Sequence, residues 1–105
     1  MNVHAPIITF EARKGDPNHR EFARIGFVEV GYVMDLESQS GAAVSHWSTY
    51  LPTETARDLK SATSRCEAKC ALVLRIAEWF ECLGAPFAEI AQTVRSEVVT
   101  IMDLK

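Results

Sequence analysis

The spacing of apolar residues changes from two to about 3.6 at Leu51-Pro52-Thr53 and does not change back. Upstream, Ile8, Phe10 and Ala12 alternate with their neighbours, as do Val28, Val30, Tyr32 and Met34. Downstream, one apolar stripe stays in phase from Ala56 to Phe80. That order places strands first and helices second. It predicts an α+β domain rather than alternating βαβ units.

The alternation predicts three strands, at about 6–13, 22–36 and 43–51, joined as an antiparallel meander. Gly15-Asp16-Pro17-Asn18 marks the first turn, and Glu37 to Gly41 the second. Gly26 and Gly31 inside the second predicted strand point to a bend or a close backbone approach. Thr53 suits the N-cap of a long helix over 53–83, with Glu54 and Asp58 near its positive end. Gly84 ends that helix, and Pro86 opens a last one over 86–104.

The long helix carries two apolar lines. One holds Leu59, Ala62, Cys66, Cys70, Val73, Ala77 and Phe80; the other holds Leu72, Ile76, Trp79 and Leu83. Together they span an arc of about 200°, wider than a single sheet can cover. The last helix, with Phe87, Ala91, Val94, Val98 and Ile101 on one stripe, is expected to fold back as its second partner. Residues 54–83 as one helix would span about 45 Å. A domain of this size has a radius of gyration of only about 13 Å. Such a helix must kink near Ser61 to Ser64 or project against another chain. Ala62, Cys66, Cys70, Leu72, Ile76 and Trp79 are the residues expected to pack helices or a second copy, and a homodimer is the expected assembly.

A chain of 105 residues makes one domain, 1–105, with one core. Its net charge of −3 divides almost evenly, with four basic and six acidic residues in 1–52, and seven and eight in 53–105. A mildly acidic balance argues against bulk phosphate binding. No apolar run follows a basic segment at the N-terminus, so no signal peptide is expected. The longest apolar run, Ala71-Leu72-Val73-Leu74, is far short of a membrane span. Three cysteines in helical sequence fit a reduced, cytoplasmic protein.

Cys66 and Cys70 share a helix face and could meet Cys82 and His46 around zinc. Zinc signatures use two Cys pairs, or a pair with closely spaced histidines, and this chain has neither. No metal and no cofactor are expected. On the third predicted strand, Val44, His46, Ser48 and Tyr50 share one face, and Trp47 and Leu51 turn to the core. The serines there lack the strand-to-helix elbow of a hydrolase nucleophile, which leaves a binding strip rather than a catalytic one. Glu29, Tyr32, Asp35, Glu37, His46 and Tyr50 are the candidate contacts with a protein partner. Arg13, Lys14, Arg20 and Arg24 bracket the first turn and are the candidates for the alternative, a dimeric nucleic-acid binder.

The stretch Phe87 to Val94 resembles the first helix of helix-turn-helix regulators in its Ile90-Ala91 pair followed by Val94. The resemblance stops at Arg95 and Ser96, where that family places a turn glycine and an apolar anchor, so no family is assigned. The expected function is non-enzymatic protein binding, as in an inhibitor, an immunity-type factor or a phage-encoded protein.

Overall fold

The computed structural model describes residues 6–37, 43–52 and 59–103. Its strands are β1 (Ile8–Ala12), β2 (Glu21–Ile25), β3 (Val28–Glu37), β4 (Ala43–Thr49) and β5 (Lys60–Ala62). They form one antiparallel sheet in chain order, each strand bonded to the next. Helices α1 (Arg65–Cys82) and α2 (Ala88–Asp103) follow, separated by a 3₁₀ turn at Ala85–Phe87. Strands therefore precede helices, as the change of period predicts, but the sheet has five strands rather than three.

One extra strand comes from dividing the predicted segment 22–36. Ile25 pairs with Val28 across a two-residue turn, Gly26-Phe27. Gly26 has φ 59°, the left-handed conformation that such hairpin turns require. Uninterrupted apolar spacing hides this turn in the sequence, because Phe27 continues the apolar run while standing 96% exposed at the tip.

The other extra strand lies where the long helix was expected. Lys60–Ala62 pairs with β4, with Ala62 opposite Ser45, and helix α1 starts only at Arg65. Thr53 and the cap assigned to it lie outside the described residues. The N-cap is Ser64, whose hydroxyl accepts from the Glu67 amide at 3.1 Å. The Glu67 carboxylate accepts in turn from the Thr63 hydroxyl and sits in the first turn, where negative charge complements the helix dipole. An 18-residue helix spans about 27 Å, which fits within a domain measuring 45 × 35 × 25 Å. Helix length thus no longer demands a kink or a second copy.

Both apolar lines of α1 are used within the chain. Ala68, Leu72, Val73, Ile76 and Ala77 are fully buried. They pack with Ile8, Ala23, Val33, Trp47, Leu51 and Ala62 of the sheet side, and with Val94 of α2. The last helix folds back along α1 as expected, and the Glu81 carboxylate pairs with Arg95 to tie the two together. Gly84, with φ 103°, ends the first helix.

A register irregularity at Ala23/Arg24 pairs Ala23 with Gly31 and Arg24 with Glu29, leaving Val30 between them. Val30 still packs against the helix-side core, and past this bulge the inward residues are Gly31 and Val33 rather than Tyr32. The bulge therefore sends Tyr32 and Met34 to the opposite face, where they join Phe22 in a second, smaller buried cluster.

Candidate functional site: an aromatic and arginine sheet face

Both helices lie on one side of the sheet, so among the described residues the other side is built by the strands and the turn between β1 and β2. Phe22 of β2, Tyr32 and Met34 of β3, and His46 of β4 all face away from the helices. Tyr50, one step beyond β4, follows the same alternation. Its ring centroid lies 6.0 Å from that of Tyr32, which is 6.2 Å from Phe22. The Arg13 guanidinium sits 3.9 Å over the Phe22 ring, and Arg20 lies 5.0 Å from Phe22 and 5.3 Å from Tyr32. These distances put both cations over ring faces, where the π quadrupole attracts them.

Carboxylates hold these arginines in place. Asp16 takes Arg20 Nε at 3.2 Å and Nη2 at 3.1 Å, and also accepts from the Arg20 amide at 2.7 Å. Those bonds keep the Asp16 carboxyl below its ordinary range. Glu29 pairs with Arg13, and Glu11 accepts from Arg24 Nη1 at 2.9 Å. Burial, together with the neighbouring Glu29 charge and its hydrogen bond, pushes the Tyr50 phenol up to about 12. His46 Nδ1 is buried and takes no hydrogen bond among the described residues.

Of the six residues proposed for partner contact, Glu29, Tyr32, His46 and Tyr50 come together on this face. Asp35 lies on the other, bonded to the Ser45 hydroxyl at 2.7 Å and to Arg65 Nη2 at 3.0 Å. The side chain of Glu37 lies outside the described residues. Arg13, Arg20 and Arg24 gather beside the aromatics, each paired with an acid, whereas Lys14 is exposed in the turn. Among the residues proposed for helix packing, Leu72 and Ile76 are fully buried within the chain and Ala62 sits on β5. Cys66, Cys70 and Trp79 are half-buried. The Cys66 thiol lies 3.7 Å from the Ile101 carbonyl.

A concavity, missed in the sequence, opens between β1, α1 and α2. It measures about 680 Å³ and is walled by Ile8 and Phe10, by Lys69, and by Ser96, Glu97 and Ile101. Lys69 bonds Glu21 at 2.7 Å and lies 5.1 Å from the Phe10 ring centroid. Glu97 accepts from the Ile7 amide at 3.0 Å and from the Ile8 amide at 2.9 Å. No spacing rule points to Glu97, because its partners are backbone groups about ninety positions away.

Among the described residues, no group of three or more His, Cys, Asp and Glu is placed to hold a metal ion, and no helix is long and apolar enough to cross a membrane. Comparison with known protein families, with curated proteins and with solved structures finds no match to this chain.

Proposed function

We propose that this domain acts by protein–protein contact through the aromatic and arginine face, as a small non-enzymatic binding factor of the inhibitor or immunity type. The observation that carries the reading is the bracing of buried Phe22 and Tyr32 by Arg13 and Arg20, with the exposed Tyr50 ring packed on Tyr32, on the sheet face that no helix covers among the described residues. Tyrosine and arginine dominate the energetics of protein interfaces. Side chains already fixed by neighbours lose little freedom on binding, which raises affinity without added area. Cys66, Cys70 and Cys82 are free thiols, which supports placing the domain in a reducing compartment such as the cytoplasm. The nucleic-acid reading draws less support, because Arg13, Arg20 and Arg24 each spend their charge on a carboxylate.

The test is capture from the organism that encodes the chain, comparing the native domain with Tyr50→Ala/Arg20→Glu and with the helix-surface control Val99→Glu. A partner held by the native domain and the control, but lost by the double variant, is the expected result. Equal recovery on all three would overturn the assignment of this face.

A further inference from the structure

We propose that β1 is a pairing edge through which two copies of the chain join their sheets antiparallel about a two-fold axis. Strand order leaves β1 and β5 at the edges, and β5 has only three residues. Because the Ile8 amide is given to Glu97, Ile8 points its backbone away from β2. By the two-residue alternation of antiparallel ladders, Phe10 and Ala12 then also turn their N–H and C=O groups outward. Neither backbone finds a partner there among the described residues, and Ala12 is exposed. An edge of this kind is a template for another strand.

Charge selects a second copy as the occupant. Glu97 guards the Ile8 end of the edge, and among the described residues its carboxylate has backbone donors but no cation. Lys14 stands just past the Ala12 end, exposed and without an ion pair among the described residues. Antiparallel self-pairing brings the Lys14 end of each β1 to the Glu97 end of the other. Bonds between Phe10 of one protomer and Ala12 of its partner set Lys14 opposite Ile8. The two Glu11 side chains then flank the axis on the far face, each held by its own Arg24 at 2.9 Å. One patch thus complements itself twice, as a closed two-fold interface requires.

Sedimentation equilibrium on the full chain tests this, together with amide exchange at Phe10 and Ala12. The expected result is a dimer whose formation slows exchange at those two amides as concentration rises. Lys14→Glu should raise its dissociation constant about tenfold or more, and raised salt should weaken it too. Ala12→Pro removes an outward donor and should leave a monomer; Lys14→Glu, on an exposed turn, keeps the test valid if the proline variant misfolds. A chain that stays monomeric at all concentrations overturns the proposal. So does a dimer that tolerates Lys14→Glu and leaves Phe10 and Ala12 exchange unchanged, since its interface would lie elsewhere.

Discussion

The carbonyl oxygen of Ser48 lies so near Gly31 that a Cβ at position 31 would come within 2.3 Å of it. The same Cβ would meet Leu72 Cδ1 and the Thr49 Cα at 3.2 Å each. Backbone cannot swing aside as a side chain can, so β3 and β4 must part to admit a methyl group. Gly31→Ala is expected to destabilise the fold by about 2–4 kcal/mol, read as a lower midpoint in urea. Gly26→Ala meets open space and strains only a positive φ, so it should cost about 1–2 kcal/mol.

Glu97 fastens the first strand to the last helix through two amides. Removing the carboxylate leaves both donors without it. Glu97→Ala should cost about 1–3 kcal/mol, with Glu97→Gln intermediate because one acceptor oxygen remains. Hydrogen exchange should quicken at Ile7 and Ile8 in both variants, while the amides of Thr9 and Glu11, bonded to β2, change less.

Acid should weaken the domain through Glu21 and Asp35. Burial raises the Glu21 carboxyl, but hydrogen bonds and charge from Lys69 and Arg65 outweigh it and hold it below 4.5. For Asp35 the Ser45 hydroxyl acts first and Arg65 adds to it, holding the group below 3.8 despite some burial. Both folded values are depressed. Their stabilisation is complete above the unfolded values and is lost as pH falls through the lower folded ones. Arg65 bonds Glu21 and Asp35 at 3.0 Å each, so Arg65→Met should flatten this acid limb. Its cost at neutral pH should be about 1–2 kcal/mol after allowance for solvent exposure, measured by urea unfolding across the acid range.

At the alkaline end, Tyr50 should ionise only at about 12, which ultraviolet titration can follow. A phenol raised above its unfolded value of 10.0 contributes stability that is complete below that value and is lost as pH rises toward 12. Glu29→Gln removes the nearby negative charge and should lower the Tyr50 transition.

Fold class was legible because a change of hydrophobic period survives every local irregularity. Boundaries were not, and particular residues show why. The start of α1 was written as Ser64-Arg65-Cys66-Glu67, a capping box, yet the apolar stripe running back to Ala56 masked it. Ser64→Ala should therefore cost about 1 kcal/mol, seen as a lower melting temperature. Tyr32 is an expected partner contact although it alternates in phase with Val28 and Val30. The bulge opposite Ala23, which the sequence does not locate, is what turns it to the helix-free face. The outward run of His46 on β4 and Tyr50 just past it was legible, because no bulge intervenes there. Arginines over the rings were not, since stacking depends on where the first turn folds back across β2.

Every strand pairs with its neighbour in sequence, so the sheet can assemble hairpin by hairpin with short loops to close. The bonds from Glu97 to Ile7 and Ile8 are different in kind, spanning 90 and 89 residues. Joining such distant points is entropically reasonable only after the intervening elements are in place. This contact is accordingly the expected latch of the fold, closing after the elements it joins and opening before them.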